Sequence, residues 1–189
     1  GVIGMEFAAF FQTLGVEVTV VEMMDEILGG MDRELSGLLR AEYTKRGIKF
    51  LLHTKVTGVS QTPEGITVTY EQDGTEGTVC GEKLLMSVGR RPVLNGFGLE
   101  NLNLELTERR NVKVDEHLQT SVPGVYVCGD LNGVSLLAHT AVREAEVAVN
   151  HILGRNDAMS YRAIPGVVYT NPEIASVGMS EEALQASGV

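Results

Sequence analysis

The chain opens on Gly1-Val-Ile-Gly4, continues through an apolar run at helical spacing, and then enters a strand that ends in an acid. Nothing else in its 189 residues restricts the fold as much. Phe7, Phe10, Phe11 and Leu14 recur with helical period over residues 4–14, and Gly15 stands where a helix-ending glycine belongs. Val16–Glu22 reads as a Val- and Thr-rich strand, apolar enough to be buried on both faces. Gly1 and Gly4 fit the second and third glycines of a G-x-G-x-x-G turn. Such glycines let backbone approach a pyrophosphate, and the helix behind them offers free N–H groups and a positive dipole end. The first glycine and its leading strand are not in the sequence, so both the motif and the chain read as cut. A bare G-x-x-G also begins many ordinary helices.

The acid at the strand end strengthens the nucleotide reading. Glu22 lies near the offset of about 20 residues at which a carboxylate meets an adenosine ribose. It accepts from both ribose hydroxyls and repels a 2′-phosphate. No Lys or Arg occurs between Glu22 and Asp32, which favours NAD over NADP. A solvated acid at a strand end is the plainer alternative. Glu6, on the first helical turn, reads either as an acid near a helix N-terminus or as a group near the nicotinamide.

Downstream, Asp32 is the expected N-cap of a second helix with Leu35, Leu38, Leu39 and Tyr43 on one face and Gly47 after it. Ile48–Leu52 reads as a short buried strand. Val56–Ser60, Ile66–Tyr70 and Thr78–Met86 read as an antiparallel meander, with turns at Pro63-Glu64-Gly65 and Asp73-Gly74. Helix–strand alternation followed by a meander predicts an α/β sheet carrying a small β layer.

A second constellation follows the break at Gly89-Arg90-Arg91-Pro92. Val125–Cys128 is expected as a buried strand that delivers Gly129-Asp130 to a loop. A long helix is predicted from Leu137 to Leu153, with Ala138, Ala141, Val142, Ala145, Ala148, Val149 and Ile152 as its packed face. An acid at such a strand end is placed to bind sugar-like hydroxyls, and a helix start faces a group that becomes negative. The pairing suits a flavin, with Asp130 on the ribityl chain and the N–H groups near Leu136–His139 on the pyrimidine edge. The plainer reading makes Asp130 a turn cap. Val167–Thr170 and Ala175–Met179 begin a third pattern, with Ser180 as an N-cap.

Composition bounds the partners. The sequence is 43% apolar and 21% charged, with net charge −10, which argues against nucleic acid and anionic membranes as partners. No apolar run approaches the ~18–20 residues of a membrane helix. Cys80 and Cys128 belong to no metal spacing and read as two buried, reduced thiols of a cytoplasmic protein. His53, His117 and His151 read as surface residues.

Five stretches together resemble the flavin-dependent pyridine nucleotide-disulfide oxidoreductases, and most closely their dihydrolipoamide-oxidising branch. They are GVIGMEF, VTVVEMMDEILGGMD, LLMSVGRRP, TSVPGVYVCGDLNG with LLAH, and VVYTNPEIASVG, in family order across nearly the whole chain. The resemblance implies a Rossmann-like NAD-binding domain with a β-meander layer over residues 1–88. Residues 89–160 would be the second segment of a FAD-binding domain, and 161–189 the start of an α+β dimer-interface domain. It places Gly1, Val2, Ile3, Gly4, Met5 and Glu6 along NAD, Glu22 on its ribose, Val56 near the adenine and Gly89 by the nicotinamide half. Asp130 would hold the FAD ribityl chain, and Leu136, Leu137, Ala138 and His139 would meet the flavin ring through their backbone. It implies dihydrolipoamide, or a lipoyl domain of a 2-oxoacid dehydrogenase complex or glycine cleavage system, as partner, and a homodimer in the full-length protein. The family's C-x-x-x-x-C redox pair and its His-Glu acid–base pair have no match here, so no catalytic residue and no metal ligand is assigned. A mercuric or coenzyme-A disulfide reductase, and a non-catalytic NAD-binding module, remain alternatives.

Overall fold

A computed structural model describes residues 1–63 and 65–188. The chain divides into two compact units, Gly1–Gly89 with Pro165–Val189, and Arg90–Ile164. The segment read as the start of a third domain thus groups, from Pro165 on, with the first unit.

The first unit is α/β, as expected. Helix α1 (Val2–Thr13) leads to strand β1 (Thr19–Val21), helix α2 (Arg33–Lys45) and strand β2 (Lys49–Leu51). β1 and β2 pair in parallel with Thr19 opposite Lys49 and Val21 opposite Leu51. Parallel neighbours need a crossover, and α2 supplies it. The meander is β3 (Thr54–Thr62), β4 (Gly65–Gln72) and β5 (Thr75–Gly81), hydrogen-bonded in that order. Asp73 and Gly74 both take positive φ (51° and 78°), the turn geometry whose twist matches a two-residue hairpin. The other expected turn includes Glu64, which lies outside the described residues. A short antiparallel pair, β6 (Gly166–Val168) and β7 (Ile174–Ser176), and helix α4 (Glu181–Ala186) complete the unit.

Its core corrects the sequence reading of several faces. Met5, Ala8 and Ala9 are buried on α1, whereas Phe7, Phe10, Phe11 and Leu14 are exposed. Small residues let the helix lie close to its neighbours, and the aromatics stack on one another outside: Phe7 with Phe11, Phe10 edge-on to Phe11. On α2, Leu39 and Tyr43 are buried but Leu38 is 59% exposed, and Ser36 takes the inward position, its hydroxyl accepting from the Leu28 amide at 3.1 Å. Ile27, Leu28, Ile48, Val168 and Ile174 join this cluster. β1 and β2 are half-buried three-residue strands rather than longer, doubly buried ones, because each has one hydrogen-bonded neighbour among the described residues. β5 stops at Gly81, and residues 82–88 continue without a ladder.

In the second unit, Val125–Cys128 is extended backbone with one bridge, Gln119 to Tyr126, not a strand. The Val127 amide donates to Leu118 and the Thr120 amide to Val125, and no longer ladder forms among the described residues. A 3-10 turn, Gly129–Leu131, follows. Helix α3 runs Ala138–Ile152, close to expectation, but presents another face. Thr140, Glu144, Val147 and Ala148 are buried, with Val147 and Ala148 against Leu118, while Val142, Val149 and Ile152 are exposed. A fully buried carboxylate is the reason an apolarity count chose the wrong stripe.

The two leucines of α2 give a direct check. Leu39→Ala lowers unfolding free energy by about 2–5 kcal/mol in urea denaturation, the range for emptying a buried leucine site. Leu38→Ala stays within about 0.5 kcal/mol, as for an exposed position. Equal losses would mean that α2 packs on the face its sequence period suggested.

Candidate functional sites

The first site forms where β1 ends and α1 begins. Glu22 follows Val21 and is held by backbone on both sides: its amide donates to the Leu51 carbonyl and its carbonyl accepts from Thr54, each at 2.9 Å. Its carboxylate accepts from the Gly1 nitrogen at 3.3 Å and from the Met24 amide at 3.1 Å. The sheet thus delivers the strand-end acid to the amino end of α1. That end carries no side-chain cap, whereas α2 and α4 are capped by Asp32 and Ser180. Uncapped N–H groups retain their demand for an acceptor.

The neighbouring residues divide between this edge and the core. Val2 is half-buried and Ile3 exposed, while Met5 turns its side chain fully inward. A Cβ on Gly4 would stand 3.3 Å from the Ser87 Cβ. Glycine there serves close packing of α1 on the segment before Gly89, the role of the third glycine in the motif. The Glu6 carboxylate accepts from the Tyr169 amide at 2.9 Å, tying α1 to the end of β6. Val56 is exposed on β3 beside the bulge between Val56 and Gly58. Gly89 ends the unit with φ 109°. Among the described residues, the bonds that gather Gly1 and Glu22 do not extend to Val56 or Gly89. An open depression lined by Gln12, Val18, Arg46 and Lys49 lies at the other end of α1.

The second site lies in the unit of α3. Gly129 has φ 76°, and a Cβ on it would meet the Ala141 Cβ at 3.3 Å, so glycine is required for both conformation and space. Asp130 projects outward, half-exposed, and pairs with Arg90 Nε at 3.2 Å. Leu137 is the cap residue of α3 in extended conformation, without a side-chain cap bond, and Leu136, Ala138 and His139 are exposed around it. An outward acid and an uncapped helix start therefore occur in one unit, and neither is sealed in the core. These residues fit a group that offers hydroxyls and an electron-accepting edge.

Sequence reasoning missed Glu144. It is fully buried on α3, and its carboxylate accepts from the Gly129 amide, from Asn132 Nδ2 at 2.9 Å and from the Tyr161 hydroxyl at 2.8 Å. Burial, then the bond to Glu144, pushes the Tyr161 hydroxyl well above its ordinary pKa. Cys128 is also raised, first by burial and then by the Glu144 charge. The expectation of two buried thiols is corrected: Cys80 is exposed and Cys128 half-buried, and both are free. Among the described residues no group of three His, Cys, Asp or Glu could hold a metal ion.

His117 and His151 are not isolated surface residues. Their rings stack at 4.4 Å, Tyr126 Oη lies 2.9 Å from His151 Nδ1, and His117 Nδ1 donates to the Asp157 carbonyl at 2.8 Å. The Asp157 carboxylate accepts from Arg143 Nη1 and Nη2 and from Asn150 Nδ2. The Arg143 hydrogen bonds, then that from Asn150, hold its carboxyl down to about 2. Sequence spacing of 14 residues between Arg143 and Asp157 carried no signal for this pair.

Residues 1–145 match the family model described as pyridine nucleotide-disulphide oxidoreductase. The chain belongs to that family. It is 44% identical over its whole length to the mitochondrial dihydrolipoyl dehydrogenase of Caenorhabditis elegans and 40% identical to the dihydrolipoyl dehydrogenase of Thermus scotoductus. It spans 39% and 41% of their lengths. LpdA from Mycobacterium tuberculosis superposes with TM-score 0.90 at 33% identity, over all of this chain and 41% of that one. The flavoprotein disulfide reductase RclA from Escherichia coli superposes with TM-score 0.89 at 26% identity, over all of this chain and 42% of that one.

The Arg143–Asp157 pair predicts an acid limb in stability. Asp157 titrates below its ordinary 3.8 in the folded chain, so its contribution is complete above about pH 4 and is lost as pH falls toward 2. Arg143→Met removes that contribution. The gap in urea midpoint between wild type and variant therefore narrows from pH 6 to pH 2; a constant gap would show that the pair does not titrate with folding.

Proposed function

We propose that the chain is the nucleotide-binding part of a flavoprotein disulfide oxidoreductase of the dihydrolipoyl dehydrogenase type. The observation that carries the reading is Glu22, held at the end of β1 by backbone bonds to Leu51 and Thr54 at 2.9 Å each, beside the uncapped start of α1. A dinucleotide needs those two groups together: an acid for ribose hydroxyls and unbonded N–H groups for phosphate. Glu22 and the absence of Lys or Arg before Asp32 support NAD rather than NADP. Val2, Ile3 and the α1 backbone border the same edge, and Val56 and Gly89 extend the proposed surface toward adenine and nicotinamide.

In the second unit, Asp130 would accept from the ribityl hydroxyls of FAD, and the start of α3 from Leu136 to His139 would present amides to the ring. When bound, FAD supplies a two-electron relay between a dithiol and the nicotinamide. What this chain's residues do is bind and orient: Glu22 selects the ribose, Gly4 keeps α1 against Ser87, and Gly129 gives Asp130 its outward turn. The chain contains no C-x-x-x-x-C pair, and Cys80 and Cys128 lie in different units. On its own it is therefore without lipoamide-dependent activity. The full-length protein would oxidise dihydrolipoamide or a lipoyl domain of a 2-oxoacid dehydrogenase complex or glycine cleavage system, as a homodimer. Two free thiols agree with a reducing, cytoplasmic setting. Likeness to RclA favours one second reading, another disulfide substrate on the same electron path.

The full-length protein tests this. Asp130→Ala lowers FAD affinity about tenfold or more, and Glu22→Ala raises the KM for NADH by a similar factor, the scale of one lost charge-assisted hydrogen bond or two. Glu22→Arg shifts preference toward NADPH. Unchanged flavin content in Asp130→Ala, or unchanged nicotinamide kinetics in both Glu22 variants, overturns the corresponding assignment.

A further inference from the structure

A buried carboxylate with no cation beside it needs a reason. Glu144 is fully buried, and among the described residues all of its hydrogen-bond partners are neutral: the Gly129 amide, the Asn132 side-chain amide and the Tyr161 hydroxyl. Desolvating a charge is costly, and an apolar replacement of similar volume is often as stable or more so. Stability alone does not account for an ionisable residue there.

The placement of the donors does. Gly129 and Asn132 bracket Asp130 and Leu131, so one carboxylate grips both ends of the turn that carries Asp130. The Asn132 amide closes on the Gly129 carbonyl at 3.1 Å, and Asn132 Oδ1 accepts from Val134 at 2.9 Å. That second bond fixes the Asn132 side chain with its NH2 toward Glu144. The carboxylate itself sits on α3, nearly two turns from the helix start. A single side chain thus ties the Asp130 turn to the helix that forms the other part of the proposed flavin site. Tyr161 donates from beyond the helix to the same oxygen, Oε1, that accepts from Asn132.

We propose that Glu144 is the positioning residue of the flavin site: its buried carboxylate sets the Gly129–Asp130 turn against α3 and so fixes where Asp130 meets the ribityl chain. The proposal rests on the flavin reading of Asp130. It also explains why the residue is Glu and not Gln. Three donors converge on it, and a carboxamide would set its own NH2 against the Gly129 amide or the Asn132 amide. Only the Tyr161 hydroxyl can turn to accept.

The test uses the full-length protein, stripped of flavin and titrated with FAD, with the thermal midpoint of the flavin-free form measured alongside. Glu144→Gln weakens FAD about tenfold or more, the scale of opposing a buried donor with another donor. Adding Asn132→Asp to Glu144→Gln restores affinity to within about threefold. One oxygen of the introduced carboxylate then accepts from Val134 and the other from the Gln amide, while the Gln oxygen accepts from Gly129. Asp130→Ala combined with Glu144→Gln costs less than the product of the single losses, since Glu144 acts through Asp130. Tyr161→Phe, which removes one donor and keeps the ring, gives a loss of about threefold and stands in if Glu144→Gln does not fold. Wild-type FAD affinity in Glu144→Gln or Tyr161→Phe, no recovery in the double variant, or losses that multiply with Asp130→Ala while tracking the thermal midpoint, overturn the proposal. If Asp130→Ala loses FAD and these variants do not, the positioning role alone fails. If Asp130→Ala binds FAD normally, the flavin reading falls and the proposal with it.

Discussion

Parallel pairing of β1 with β2 is the constraint on which the first unit depends. Two parallel neighbours send their carboxyl ends to the same edge, so the chain must return through a crossover, here α2. The residue after β1 is then held at that edge by the last residue of β2 and the first of β3. Glu22 donates to Leu51 and accepts from Thr54 through its backbone, which fixes the residue at that edge, and its carboxylate accepts from the Met24 amide. The amino end of α1 lies at the same edge, with Gly1 beside Glu22. An acid and a helix start meet there because the topology leaves no other place for either, which is the general reason α/β sheets bind ligands beyond their strand ends.

The sequence revealed the order of elements well and their inward faces poorly. Helices α1, α2 and α3 lie within a few residues of where periodicity and capping put them, with Asp32 and Ser180 as side-chain caps. The Asp73-Gly74 hairpin follows from turn chemistry alone. The faces failed for one physical reason: hydrophobic period reports which residues can be buried, not which are. α1 buries alanines because small side chains allow close approach, leaving three phenylalanines outside. α3 buries Thr140 and Glu144, and hydrogen bonding from outside the helix makes that tolerable. Strand lengths failed for a related reason. Val125–Cys128 has strand composition, but a ladder needs a neighbour, and among the described residues only Gln119 pairs with it.

The candidate sites were legible to the extent that local motifs encode them. Gly4, Glu22, Gly129 and Asp130 are each marked by neighbours a few residues away. Glu144 was not, since its partners at 129, 132 and 161 come together only when α3 packs. Nor were His117 and His151, 34 positions apart in sequence yet ring on ring in the fold. Contacts of that separation leave no pattern in a single sequence.

The two carboxylates of the second unit show how burial sets what an acid can exchange. Asp130 and Glu144 are chemically alike, and each carboxylate is engaged by neighbouring groups. Asp130 meets Arg90 in the open, where an ion pair contributes about 0–1 kcal/mol because water and salt screen it. Such a pair is exchangeable, and hydroxyls of an incoming ligand compete for the carboxylate at little cost. Glu144 is removed from water, and losing one of its donors leaves a buried acceptor less satisfied, a penalty of about 1–3 kcal/mol in general. It is therefore a fixed point. Asp130 can exchange its partner and Glu144 cannot, and the single peptide step between Gly129 and Asp130 joins the turn that one carries to the donor that the other holds.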